Sequence, residues 1–405
     1  MSEDLTKTEE NANAQASQEA ARLGRAYHNK ANVNIIVDSC ADFAPEVVEA
    51  LGVEVVSFSF VMGGQEHADD FWKSMSPHDF YERMRAGEVA TTAAVTPGHY
   101  LEVFERAAQK GAPTVYLAFT RGLSSSVDAA RQAADMIREK YPDFELYVVD
   151  NLCPSAAAEL LAIEAVHQAG NGLSAKELVE WVEEARYYIQ GYFTLDSFDA
   201  LARGGRIPPA AATVGGKLDI KPELSYDLNG ALTLRGMCRG RKKALRAILA
   251  DFKANHLSEE DLGGTPLPIG VVSADAEKDT KWLVDQLRKE PGCADVPVIY
   301  SSVSPVIGAH VGPGMVALVF WGKDRRESLS FTDRIARRVR GKRDESANEK
   351  HRREHAAPTP AGAACRLKKG PLGPSTPTAR SPSSAPASWA RPSRATSWTP
   401  ATTSR

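Results

Sequence analysis

The stretch from Thr114 to Lys140 does most to limit the fold. Thr-Val-Tyr-Leu-Ala-Phe is an apolar run in which Val115, Leu117 and Phe119 suit a buried strand. Thr120-Arg-Gly-Leu-Ser-Ser-Ser126 is a polar turn, after which Ala129, Ala130, Ala133, Ala134 and Ile137 recur at helical spacing. Strand, turn and helix recur elsewhere. Val33-Asn-Ile-Ile-Val37, Val53 to Val61 and Phe144-Glu-Leu-Tyr-Val-Val149 read as further strands, separated by helical patterns at Pro45 to Leu51, Phe71 to Gly87 and from Tyr100 onward. Strands alternating with helices imply an α/β fold with a parallel sheet and right-handed crossovers, whose polar loops gather at one edge.

Those loops hold the candidate ligand groups. Ser124, Ser125 and Ser126 fall at a helix start, where free N–H groups and the positive end of the helix dipole favour an anion. From this loop alone an ordinary capping serine is the plainer reading. Gly122-Leu-Ser-Ser-Ser126 also lacks the closing glycine of a nucleophile elbow. Asp38 and Ser39 sit at the C-terminal end of the first strand, where ligand work and plain structure are equally good readings, whereas Asp42 reads as the cap of the next helix. Thr91-Thr-Ala-Ala-Val-Thr-Pro97 is a second hydroxyl loop that opens a helix.

From Gly191 the pattern changes. Tyr192 to Leu195 is a strand, and Asp199-Ala-Leu-Ala-Arg-Gly-Gly-Arg-Ile-Pro208 ends a helical turn in paired glycines that permit left-handed backbone. Arg206 beside them offers a fork for a carboxylate or phosphate, or is a solvated residue near a helix end. Leu218 to Leu224 and Ser225 to Leu234 read as strand and hairpin with an Asn229-Gly230 turn, followed by a basic helix from Gly236 to Leu249. Arg239-Gly-Arg-Lys-Lys243 opens that helix, where cations are disfavoured unless an anion is near. Ile269 to Ser273 and Val296 to Ser302 are strands, and His310-Val-Gly-Pro-Gly314 leads into the buried run that ends at Trp321. Taken alone, His310 is most simply a satisfied surface histidine.

Composition narrows the function. The 405 residues can build one large or two ordinary domains, and the net charge of -3 argues against nucleic acid. Five cysteines without close pairing, and without zinc-like histidine spacing, read as reduced thiols of a cytoplasmic protein with no metal. The start of the chain is too polar for a signal peptide, and no stretch approaches membrane-spanning length. Residues 1–32 read as a disordered leader and 323–405 as a disordered tail. The tail is first dense in mixed charge and then, from His355, devoid of Asp and Glu.

Seven short segments in register resemble the DegV family: Asp38-Ser-Cys-Ala-Asp42, Thr92-Ala-Ala-Val-Thr-Pro97, Leu123-Ser-Ser-Ser126, Leu201-Ala-Arg-Gly-Gly-Arg-Ile207, Ile220-Lys-Pro222, Arg239-Gly-Arg-Lys-Lys243 and His310-Val-Gly-Pro-Gly314. The resemblance covers about Val33 to Trp321. It implies a two-domain fold, an N-terminal α/β domain over 33–188 with a parallel sheet and a C-terminal mixed-sheet α/β domain over 189–322, with the ligand between them. It further implies a FakB-like carrier that binds a long-chain fatty acid and presents it to the catalytic subunit of a fatty acid kinase for acyl-phosphate formation, with no cofactor. Transient contact with a membrane surface stays open. Family head-group contacts map onto Thr92 and Ser124, with Ser125, Arg206, His310, Asp38 and Ser39 nearby, while Arg239 and His310 are candidates for assisting the kinase. Where the family usually carries Thr-Ser-Gln-Pro-Ser, this chain has Thr92-Ala-Ala-Val-Thr96. The competing class is a stand-alone hydrolase or small-molecule kinase acting on a lipid or small anion. No Gly-rich phosphate loop with its lysine, and no serine, histidine and acid in an elbow context, supports it.

Overall fold

Apolar runs of about five residues become most of the strands of the two larger sheets, and the hydroxyl-bearing turns fall between them. The structure, a computed structural model, describes residues 32–207, 219–258, 260–264 and 267–328. Nearly all of the expected leader, and the expected tail beyond Ser328, lie outside the described residues.

In chain order the first part runs β1 (Asn34–Asp38), α1 (Pro45–Leu51), β2 (Glu54–Val56), β3 (Ser59–Met62), β4 (Gln65–Ala68), α2 (Pro77–Arg85), β5 (Thr91–Ala93), α3 (Pro97–Lys110), β6 (Thr114–Ala118), α4 (Ser126–Lys140), β7 (Leu146–Asp150), α5 (Ala156–Gly170) and α6 (Ala175–Ala185). The second part runs β8 (Ile189–Thr194), α7 (Asp199–Arg203), β9 (Ile220–Tyr226), β10 (Leu232–Arg239), α8 (Arg241–Asn255), β11 (Ile269–Ser273), α9 (Glu277–Leu287), β12 (Val298–Ser302), α10 (Pro305–Val311) and β13 (Val316–Trp321).

The N-terminal sheet has the order β2-β1-β6-β7 and is parallel throughout, as the alternating pattern requires. The C-terminal sheet has the order β10-β9-β8-β13-β11-β12, with β11 and β12 parallel and every other pair antiparallel. Helix α5 lies between them, against β8, β11 and β13 and against the 3-10 turn Ser39–Ala41. That position explains its alanines, because a helix buried all round between two sheets needs small side chains.

Several local expectations are corrected. The run Val53 to Val61 divides at Ser57 into β2 of the parallel sheet and β3 of a separate three-stranded antiparallel sheet ordered β4-β3-β5. Thr91–Ala93 is a strand of that small sheet, so Thr92 pairs with Phe60 rather than opening a helix, and Thr96 is the cap of α3. The helix expected from Phe71 starts at Pro77 behind Ser76, and the basic helix starts at Arg241 because β10 continues to Arg239. The apolar runs fix which segments pair, but not where one strand bends into two.

The Asn229-Gly230 turn joins β9 to β10 as expected and lies directly on the loop that precedes α4. Thr120 Oγ1 donates to the Gly230 carbonyl at 3.3 Å. A Cβ at Gly122 would stand 2.7 Å from the Asn229 oxygen and collide with Gly230 and Ala231, so only glycine lets these two backbones touch.

Candidate functional site

A cavity with about 960 Å³ of empty space, part of it open to solvent, lies between the loops at the C-terminal edge of the parallel sheet and the inner face of the C-terminal sheet. Its concave, mostly apolar lining with a few polar groups is that of a small-molecule or lipid site. The polar groups of the cavity gather at one end. Thr92 from β5, Ser124 and Ser125 from the loop before α4, Arg206 after α7 and His310 from α10 all line it there. Thr92 Oγ1 and His310 Nε2 lie 2.8 Å apart.

The histidine is held by what is absent beside it. A Cβ on Gly204 would collide with His310 Nδ1 and lie 3.0 Å from Cε1, so the imidazole rests on bare backbone. Its Nδ1 is buried without a hydrogen-bond partner among the described residues. Burial, and secondarily the Arg206 charge, push the His310 pKa down to about 4, so the ring is neutral near neutral pH. Arg206 supplies the positive charge. Its Nε donates to the Leu123 carbonyl at 3.2 Å and its Nη1 donates to the Gly204 carbonyl. Burial lowers its pKa, but a guanidinium stays charged.

Ser124 is set by a short relay. The Val95 N–H donates to Ser126 Oγ at 3.2 Å, and Ser126 Oγ lies 2.9 Å from Ser124 Oγ, which also accepts from the Ser126 N–H. With the Ser126 hydroxyl donating to Ser124, the Ser124 hydrogen is left for a ligand oxygen. The N-terminus of the 15-residue α4 follows at once and favours an anion there.

The rest of the wall is apolar in effect. Ser155 gives its hydroxyl to Asp42 and Tyr226 donates to the Ile189 carbonyl at 2.9 Å, while the Tyr192 ring packs on Phe320 on the opposite face of the sheet. Ser155 and Tyr226 thus turn carbon toward the cavity. Along β13 the residues Met315, Ala317 and Val319 alternate inward. Met315 follows His310 across a short glycine turn, so the strand leads away from the polar end by about 3.4 Å per residue. At its far end Val319 pairs with Gly191.

Asp38 and Ser39 do not line this cavity. Asp38 accepts from the Phe119 N–H at 2.6 Å and from the Tyr116 hydroxyl at 3.2 Å, and Ser39 Oγ accepts from the Phe58 N–H at 3.1 Å. Both are buried below the wall to which the next residue, Cys40, contributes. Arg239 is exposed at the end of β10 and is likewise absent from the lining. Its neighbour Arg241 is structural, donating to Asp279 at 2.6 Å and to the Gly314 carbonyl at 2.5 Å.

Asp42 corrects an expectation with consequences for the site. The cap of α1 is Ala44, and Asp42, at φ 57°, leaves that helix alone. One of its oxygens accepts from the Ser304 N–H at 2.9 Å and the other from the Ser155 hydroxyl. Ser304 caps α10, so Asp42 ties the parallel sheet to the helix that carries His310. Tyr81 adds a second tie by donating to the Val303 carbonyl at 2.7 Å. Desolvation raises Asp42 to about 6, and Asp38 and Asp69 each to about 7, the Asp42 charge adding to both. Ser39 and Ser304 lie close enough to moderate Asp69, but neither Asp69 oxygen meets hydrogen-bond geometry, and Glu159 is likewise without a partner among the described residues.

Among the described residues, metal-ligand spacing occurs at His78, Glu82 and Asp275 on the outer surface. Arg85 pairs with both carboxylates, at 2.7 Å to Glu82, so a cation would have to displace a guanidinium. No helix among the described residues is long and apolar enough to cross a membrane.

A family model described as "Uncharacterised protein, DegV family" matches residues 32–323. A DegV domain-containing protein of Clostridium perfringens is 30% identical over 288 residues, covering 71% of this chain and 97% of the relative. Among solved structures, a Thermotoga maritima protein described as revealing a fatty acid binding function is 26% identical with a TM-score of 0.61, covering 72% of this chain and 99% of its own. The fatty acid kinase B3 protein of Streptococcus pneumoniae, loaded with linoleic acid, has a TM-score of 0.61 at 24% identity, covering 71% and 99%, a likeness of fold.

Proposed function

This chain belongs to the DegV family, and from that premise we propose that it binds one long-chain fatty acid, with the acyl chain buried and the carboxylate held by Thr92, Ser124 and Arg206 beside His310. The observation that carries the reading is the division of the cavity into a donor-rich end and an apolar remainder in which the Ser155 and Tyr226 hydroxyls are turned to other partners. A methylene chain gains about 0.8 kcal/mol for each buried CH₂ and asks nothing of the wall but carbon. A carboxylate needs donors in place of water, and it finds hydroxyls, a guanidinium and a helix N-terminus. The Thermotoga maritima neighbour, described as fatty-acid-binding, supports the same ligand class.

The protein acts as a carrier. The Thr92 and His310 pair has the separation of a nucleophile and its base, but His310 Nδ1 meets no orienting carboxylate, and a ring with a pKa of about 4 is a poor base at neutral pH. The finer reading is that the mouth presents the carboxylate to a separate kinase for acyl-phosphate formation. It is supported by the position of the polar end, where Ser125 and Arg121 are exposed and Arg203 lies close by on the surface. Positive charge there would stabilise a transferring phosphoryl group.

Native mass spectrometry of the purified protein tests the first reading. One fatty-acid mass per chain is expected, displaced by an added acid of different mass. A protein that has been delipidated and refolded, and that takes up no fatty acid, would overturn it.

A further inference from the structure

We propose that Tyr226 is the residue that sets how long an acyl chain the cavity accepts. The inference rests on the fatty-acid reading and concerns the end of the cavity away from the head-group donors. The registers Phe193 with Leu224 and Thr194 with Glu223 place Tyr226 across from Gly191. Its ring then folds over that glycine. A Cβ at Gly191 would stand 2.7 Å from Tyr226 Cε1, so the ring occupies space that any other residue there would fill.

The ring is anchored at three points. Its hydroxyl donates to the Ile189 carbonyl at 2.9 Å, and the Arg325 guanidinium lies 4.3 Å from the ring centroid. Arg325 Nη1 also donates to the Tyr226 carbonyl at 3.2 Å and to the Asp227 carbonyl at 3.0 Å, which fixes the backbone from which the ring hangs. Tyr226 lines the cavity yet is only 5% exposed, as a wall that ends it must be. The polar end lies in the other direction along β13, about four residues at roughly 3.4 Å each from Met315 to Val319. A chain bound by its carboxylate at Thr92 and Ser124 therefore meets this ring with its methyl end. The ring itself is tied at its tip and covered by a charged group, so it does not swing aside.

The consequence is a length profile that depends on one side chain. Each methylene that gains burial in vacated space is worth about fourfold in affinity. Replacing the ring by a smaller aliphatic group moves the limit outward without touching a head-group donor. The test is a competition series of saturated fatty acids, from lauric to arachidic, against a fluorescent fatty acid, run on the full chain and on Tyr226→Val, Tyr226→Leu and Tyr226→Phe. Thermal melting confirms that each variant is folded. Tyr226→Val is expected to favour the acid two methylenes beyond the wild-type optimum by about tenfold relative to that optimum. Tyr226→Leu should shift in the same direction by less. Tyr226→Phe keeps the ring and should keep the profile, which separates the ring's bulk from its hydroxyl bond. If Tyr226→Val does not fold, Tyr226→Leu decides. A folded Val or Leu variant that binds fatty acids with the wild-type length profile overturns the proposal while leaving the fatty-acid reading intact. Wild-type protein that binds no member of the series removes both.

Discussion

His310 works as a neutral donor or acceptor because Gly204 gives it room and the cavity wall dries it. Gly204→Ala tests this without strain on the backbone, since the residue sits at φ -72°. The added methyl must push the imidazole off Thr92, and fatty-acid affinity should fall about tenfold or more while the melting temperature moves little, as read by displacement titration and calorimetry. Ser124→Ala should cost about 1 kcal/mol, roughly fivefold in affinity, because it removes one hydrogen bond and leaves the acyl chain's larger contribution in place. At this scale the sequence was informative where residue type alone states a chemistry. Ser124 and His310 were losing bets in isolation, Arg206 was open between a ligand fork and a solvated residue, and the structure sets all three with Thr92 in the lining of one cavity. Asp38 and Ser39 were as polar and as well placed along the chain, but their partners, Phe119, Tyr116 and Phe58, come from other elements and could not be read from local spacing. Gly204 was read for the left-handed backbone that its neighbour Gly205 adopts, at φ 68°, and its own service to His310 left no local signal.

Helix α10 is short, seven residues, and is positioned by its ends more than by its length. Asp42 holds its first turn through the Ser304 N–H, and Arg241 holds the loop beyond its last turn through the Gly314 carbonyl. Asp42→Ala should destabilise the protein by about 2 to 5 kcal/mol, since it strands the Ser304 N–H and the Ser155 hydroxyl away from water. Asp42→Asn retains an acceptor for Ser304 and should cost less than about 1 kcal/mol at neutral pH. Equal losses for the two variants in urea unfolding would show that Asp42 is not the tie described. Elements were legible in the sequence wherever burial imposed a period: the parallel strands β1, β6 and β7, the alanine helix and the Asn229-Gly230 hairpin all lie where the pattern placed them. They were not legible where a partner strand decided the outcome, as for Thr91–Ala93, which is a strand only because β3 lies alongside.

For the molecule as a whole, the buried carboxyls make stability depend on pH in the direction opposite to that of most proteins. Asp38, Asp42 and Asp69 hold their protons to about 7, 6 and 7 in the folded chain, whereas an unfolded carboxyl releases its proton near its ordinary value of 3.8. Between those limits the folded state carries more protons, so stability is greatest on the acid side and falls as pH rises through this window, and Glu159, held by burial well above its ordinary value, acts in the same direction. His310 opposes this, since its folded pKa near 4 lies below the ordinary 6.5, but its opposition is confined to the range below about 6.5. The melting temperature should therefore be higher at pH 5.5 than at pH 7.5, and Asp69→Asn should flatten the slope; a melting temperature that rises across the same interval would contradict the assignment. The contact between Gly122 and the Gly230 turn bears on time rather than on equilibrium. With no side chain between the two backbones there is nothing that can swing aside, so the loop and the hairpin can part only as whole segments. Any opening at that seam is then a slow, collective motion rather than the flip of one side chain.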